Sequence, residues 1–309
     1  MRPGAGLAVL VLWLAPAPAR ALETRVPMER LWIVPGGGLW GVEDARVTGH
    51  LRVVVDAAWS VSGAPFSLGH AERASGTDSL GQPVRRLGTL QLSGAVDLWR
   101  QLRLGLALPL LFPRGDGLVA LGGEPLPSAA VGDLRLHATA PFLAGRSPFV
   151  VAMGAVLSLP TGDSASFAGL DTVAVEPRVL LSVQPLAPLA LHGRVGVSLH
   201  EERVLFDATW GDRLTWGAGV ALGVPWIPGL GRRLALLAEV DGASDGSGGL
   251  LEMRAGLRLR LGRLHISLGS GGGIGRGVTT PSWRLLGSVG ATLGPGLRTT
   301  PPAHYDAVP

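Results

Sequence analysis

The 309-residue chain contains no cysteine, no lysine and no asparagine, few aromatic residues (5%) and little charge (16%). Without cysteine there is no disulfide framework, no thiolate metal site and no cysteine nucleophile. Export is not excluded, because a large barrel needs no staples. The missing lysine and asparagine fit the codon bias of a GC-rich genome, and all 27 basic side chains are arginine. The pI of ≈10.9 therefore overstates the charge. Formal net charge is +4, and removal of the leader that carries Arg2 and Arg20 leaves +2. No basic cluster marks a nucleic-acid footprint. No stretch reaches the ~18 uninterrupted apolar residues of a transmembrane helix.

What is present is apolar and glycine-rich: 47% hydrophobic residues and 47 Gly, with no three-residue period that would suggest collagen. The first twenty-one residues read as a signal peptide. Arg2 is the positive start, Gly6 to Leu14 the apolar stretch, and Ala19-Arg20-Ala21 the cleavage site, so the mature chain is expected to begin at Leu22. A buried N-terminal helix is the competing reading, and Pro16 and Pro18 count against it. An exported, apolar chain without a transmembrane helix has one membrane solution, a closed barrel.

From residue 50 onward the sequence alternates with period two, the signature of strands with one wet and one apolar face. In 50–61, Leu51, Val53, Val55, Ala57, Trp59 and Val61 oppose His50, Arg52, Asp56 and Ser60. The pattern returns in 87–98, 102–112, 132–142, 149–160, 172–185, 189–200, 213–225, 233–241, 250–261, 264–274 and 283–293. These are about twelve segments of about ten residues, the length a tilted strand needs to cross hydrocarbon. Short connections (99–101, 144–148, 186–188, 227–232, 262–263) alternate with longer ones (62–86, 113–131, 161–171, 201–212, 242–249, 275–282). Bacterial barrels have short periplasmic turns and longer outer loops. Trp59, Phe112, Trp216 and Trp283 fall at the expected outer strand ends, and Trp99, Phe142, Phe149 and Trp226 at the inner ends, like two aromatic girdles.

The expected fold is therefore all-β: a transmembrane antiparallel up-and-down β-barrel of about twelve strands, spanning 50–293. Residues 22–49 are expected in the periplasm or against the barrel mouth, and 294–309 form a Pro-rich disordered tail. The competing fold is an exported soluble β-sandwich binding protein. Uniformly long strands, nearly charge-free apolar faces and the loop asymmetry favour the membrane.

Arg52, Asp56, Asp133, Arg135, Glu176, Arg178, Arg194, Glu239, Asp241, Glu252, Arg254, Arg258 and Arg260 lie on wet faces and are expected to line the lumen. Opposite charges among them either pair and close it or leave a narrow channel that favours anions along Arg254, Arg258 and Arg260. Among the seven His no metal spacing occurs; His192 and His200 are too far apart to chelate alone. His265 and Ser267 resemble the His/Ser pair of some outer-membrane lipid deacylases, but Ile266 takes the lipid side, so the pair is expected to face inward. The Gly269 to Gly277 run lacks G-x-G-x-x-G, and Asp163 reads as turn chemistry. No catalytic residue, cofactor or metal is expected. The expected surroundings are outer-membrane lipid and lipopolysaccharide, with no nucleic acid. The functional expectation is a structural barrel or a narrow passive channel for small hydrophilic solutes; the alternative is a lipid-modifying enzyme.

Several segments together resemble the barrel half of large OmpA-family outer-membrane proteins of myxobacterial type. They are ERLWIVPGGGLWGVEDARV (29–47), RRLGTLQLSGAVDLWRQLRLGLALPLLF (85–112), VGDLRLHATAPFL (131–143), LSLPTGDSASFAG (157–169), EPRVLLSVQPLAPLALHGRVGVSL (176–199) and GGGIGRGVTTPSWRLLGSVGATL (271–293). The resemblance implies an outer-membrane barrel and transfers no catalytic or binding residue. Such proteins continue into Asp-rich repeats and a peptidoglycan-binding domain; neither is detected by Pro309, so peptidoglycan anchoring is not carried over.

Overall fold

In a computed structural model of the chain, the described residues are 27–29, 31–66, 83–117, 119, 125–143, 148–205, 208–230, 233–244, 249–274 and 280–294. The expected signal peptide, the 294–309 tail beyond Gly294 and the far part of the Gly-rich run lie outside them.

Twelve long strands form the wall: β1 (Arg52–Phe66), β2 (Val84–Leu98), β3 (Leu102–Arg114), β4 (Leu134–Leu143), β5 (Phe149–Leu159), β6 (Ala174–Leu186), β7 (Leu189–Ser198), β8 (Arg213–Gly223), β9 (Leu234–Ser244), β10 (Gly249–Leu261), β11 (Leu264–Gly273) and β12 (Trp283–Leu293). Every long strand pairs antiparallel with its neighbours in sequence, and β1 also pairs with β12 through Val53↔Leu293 to Gly63↔Trp283. That last ladder closes the barrel and removes the free edge an open sheet would expose. A two-residue strand, Ala130–Val131, extends the pairing of β3, and a small hairpin (Arg203–Leu205 with Ala208–Trp210) stands apart.

Side chains fall as the alternation dictates. On β10, Met253, Leu257 and Leu261 are exposed on the outside, while Glu252 and Arg254 are buried within. On β11, Leu264, Ile266 and Leu268 face out and Ser267 is buried. The soluble alternative requires the opposite arrangement. Trp99, Phe142, Phe149 and Trp226 are exposed at one end of the wall, and Trp59, Phe112 and Trp283 are exposed nearer the other.

Two expectations are adjusted. The β1–β2 hairpin continues past the apolar pattern to Phe66↔Val84 across an irregularity at Gly63/Phe66, because ladder hydrogen bonds do not need an apolar side chain. The loop asymmetry breaks once: the 245–248 connection on the long-loop side is shorter than 224–233 on the short-turn side.

Residues 27–29 and 31–49, the described part of the segment expected in the periplasm or at the mouth (22–49), mark the largest departure. They lie neither in the periplasm nor against the mouth: they run through the barrel. Met28 donates its backbone N–H to the Phe167 carbonyl (3.0 Å) in the 160–173 connection on the long-loop side. Gly49 accepts from Arg100 (2.9 Å) in the β2–β3 turn at the opposite end. Between them the segment descends, reverses at Pro35–Gly38 and descends again. Gly36, Gly37 and Gly38 have φ of 89°, 141° and 122°, a run only glycine adopts without strain. The reversal is closed by Val34 N–H to Trp40 O (2.8 Å) and Leu39 N–H to Val42 O (2.9 Å). Its apolar side chains form the interior core: Leu31, Ile33, Leu39, Trp40 and Val42 pack with Ala58, Leu237 and Leu286.

Candidate functional site

The site is the lumen with its internal segment. The inner wall has missing volume where the segment passes. A Cβ at Gly256 or Gly269, which face each other across the β10–β11 ladder, would lie 2.7 or 2.6 Å from the Trp40 ring. At Gly219 it would overlap Leu39, and at Gly105 it would come within 2.9 Å of Pro35. The wall is thus shaped to receive this segment, which explains glycines that the alternation alone leaves without purpose.

Polar contacts fix the segment at each level. Near the long-loop end, Glu29 accepts from Thr89 (2.7 Å) and Arg284 (3.1 Å), and Arg284 also binds Glu252 (2.7 Å). One level down, Gln91 exchanges two hydrogen bonds with the Ile33 backbone (3.2 and 2.5 Å). At mid-height the Glu239 carboxylate accepts the successive N–H groups of Trp40, Gly41 and Val42 (3.1–3.3 Å) and pairs with Arg254 (2.7 Å). Glu43 is fully buried between His137 (2.8 Å) and Arg178. Below it, Ser182 Oγ accepts from Ala45 N–H (2.8 Å) and shares a hydrogen bond with His192 Nδ1 (2.9 Å). Arg103, held by Asp97 (2.7 Å), reaches the carbonyls of Asp44 and Arg46 (3.4 and 3.0 Å). Arg258 donates to the carbonyls of Gly38 (2.6 Å) and Leu39 (3.3 Å). Trp32 lies with the Arg178 guanidinium 4.9 Å and the Arg135 guanidinium 5.7 Å from its ring, a cation–π stack.

The expected lining residues are brought into this network in different ways. Glu239, Arg178 and Arg258 grip the segment directly, and Arg135 through Trp32. Arg254 links Glu239, Asp241 and Glu252 along the wall. Glu176 pairs with Arg194 (3.3 Å), Arg52 with Asp97 (2.9 Å) and Asp56 with His265 (2.7 Å). Asp133 serves a loop instead, accepting from Gly162 (3.0 Å) and Leu170 (2.9 Å). Arg260 lines the cavity at the short-turn end. Sequence reasoning missed the partners the segment supplies, Glu29, Glu43 and Asp44, and did not single out Arg103, Asp97, His137 or Arg284. A readable signal existed: two tryptophans and two glutamates in a stretch with no strand period.

Two cavities flank the filled middle. One of ≈620 Å³ opens at the short-turn end, and one of ≈120 Å³ lies toward the long loops beside Glu29 and Trp32. Among the described residues no group of three or more His, Asp or Glu is placed to hold a metal. His265 and Ser267 both face inward; Ser267 accepts from Arg258 (3.0 Å). Asp163 accepts from Ser166 (2.5 Å) at the start of a short 3-10 turn, as turn chemistry requires.

No family model and no curated protein matches the chain. Solved structures do. The COG4313 outer membrane channel from Pseudomonas putida F1 is 14% identical with a TM-score of 0.57, over 81% of this chain and 98% of that one. The NanC porin is 9% identical with a TM-score of 0.50, over 78% and 99%. The chain has the fold of an outer-membrane β-barrel. At these identities the likeness reaches no further than the fold.

Proposed function

We propose that the protein is a non-enzymatic outer-membrane barrel that acts as a narrow passive channel for small hydrophilic solutes, held closed in this conformation by residues 27–49. The observation that carries this reading is the segment itself. It separates two cavities of one lumen and is held by hydrogen bonds and ion pairs that water can replace. Against an enzyme stands the lipid face of β11, where Leu264, Ile266 and Leu268 offer no polar pair to a lipid substrate.

Planar-bilayer recording tests the reading. The native protein is expected to be closed most of the time. Glu239→Ala, which deletes the acceptor of three segment N–H groups, is expected to raise the open fraction at least tenfold. No current above background from either protein removes the channel and leaves a purely structural barrel.

The same reading includes export through a signal peptide cleaved before Leu22, an outer-membrane location among lipid and lipopolysaccharide, and kinship with the barrel half of OmpA-family proteins. The quoted motifs support that kinship by their order along the chain. The mass of the purified protein tests the cleavage. The barrel half of such a relative tests the kinship: it should carry a lumenal segment at the equivalent of 29–47.

A further inference from the structure

The ≈620 Å³ cavity at the short-turn end is lined by six arginines and two aspartates, and the pairing within it is uneven. Arg52 and Arg103 are both satisfied by Asp97 (2.9 and 2.7 Å), Asp56 by His265 (2.7 Å), and Asp44 lies 3.6 Å from Arg46. That uses every carboxylate on the wall of the cavity. Arg258, Arg260 and Arg263 form no ion pair with a carboxylate among the described residues; Arg258 is directed at carbonyl oxygens. The exposed guanidinium groups of Arg260 and Arg263 thus line one cavity, enclosed by the barrel and open at its mouth, beside the carbonyl-bound Arg258. Such clefts concentrate ions of the opposite sign. The Ser288 and Thr292 residues on the adjoining strand add hydroxyls to the same lining.

We propose that this vestibule binds a small soluble oxyanion carrying at least two negative charges, of the phosphate or polycarboxylate class. Guanidinium groups bind such groups through paired, charge-assisted N–H···O bonds. The cavity is open beside the lower part of the segment, which lines one side of it, and needs no movement of the segment, so binding does not depend on conduction. The two readings therefore fail separately: binding without current removes only the channel, and current without binding removes only this site.

Titration calorimetry of the detergent-purified full chain at constant ionic strength tests the proposal, with inorganic phosphate and citrate as probes and glucose as the neutral control. Saturable one-to-one binding of an anion and none of glucose is expected. The R260Q/R263Q double variant, neither of whose side chains hydrogen-bonds or ion-pairs with the internal segment, is expected to weaken binding at least tenfold. Arg85→Gln, at the opposite end where Arg85 pairs with Asp116, is expected to leave it unchanged. Absence of saturable heat overturns the proposal. So does equal weakening by Arg85→Gln, which identifies an adventitious ion only. Circular dichroism of the double variant confirms that the barrel is intact.

Discussion

Glu43 shows how a single side chain can make a bare lumen unfavourable. It is fully buried, within 2.8 Å of His137 and paired with Arg178. Burying either charge alone is costly, and removing one partner of a buried pair typically costs about 3–5 kcal/mol because the other is stranded. Arg178 belongs to the wall and is present whether or not the segment is in place. The segment's carboxylate therefore neutralises a charge that the barrel would otherwise hold unpaired beside His137. Glu43→Gln is expected to lower the stability measured by urea unfolding by about 3–5 kcal/mol, on the same principle. Pairing it with Arg178→Met, which removes the stranded charge, is expected to restore most of the loss. If the double variant is no more stable than the single, the ion pair is not what holds this level of the lumen.

At the scale of the element, strand β10 carries the two halves of the design on its two faces. Leu257 faces out, and an arginine there places a charge in hydrocarbon at a cost of about 2–4 kcal/mol at mid-membrane. Leu257→Arg is expected to reduce the heat-modifiable folded band on gels severely. Arg258 faces in, and on the alternation alone its replacement by Leu would be neutral. The structure changes that expectation, since Arg258 holds the carbonyls of Gly38 and Leu39. Arg258→Leu is expected to fold as a barrel while loosening the segment, seen as faster proteolysis within 27–49. Normal assembly of Leu257→Arg together with failed assembly of Arg258→Leu would reverse the assignment of the faces. The strands were legible because each repeats a two-residue period over about ten positions, enough to fix both face and register. The internal segment was not, because a chain that fills a cavity is specified by its surroundings and needs no period. Its Glu and Trp residues look like those of any polar loop until Gly256, Gly269 and Arg178 are seen around them. The candidate lining was legible as a face and illegible as a set of pairs, since several partners, Glu43, Trp32 and the segment's backbone N–H and carbonyl groups, come from outside the wall.

At the scale of the molecule, the path of the segment fixes which side of the membrane each part of the chain meets. Met28 is bonded to Phe167 at the long-loop end and Gly49 to Arg100 at the short-turn end, so residues 28–49 cross the full height of the barrel inside it. With short turns on the periplasmic side, as in bacterial barrels, Pro27 is expected at the outer face of the cell. An ordinary N-terminal extension of a twelve-stranded barrel would remain on the periplasmic side, where β1 begins. The absence of cysteine makes the difference measurable. A single cysteine introduced as Pro27→Cys is expected to react with a membrane-impermeant maleimide on whole cells. One introduced as Arg100→Cys, exposed in the β2–β3 turn, is expected to react only after the outer membrane is permeabilised. Labelling of both only after permeabilisation would put the start of the segment on the periplasmic side and remove the threaded path. Labelling of Arg100→Cys alone on whole cells would invert the barrel. The threaded path also constrains assembly. A segment that reaches the far mouth, and that sits in slots cut by Gly219, Gly256 and Gly269, is expected to enter before the β1–β12 ladder closes around it. Segment and wall therefore form one folding unit, and the segment is expected to stay closed until its polar anchors exchange with water.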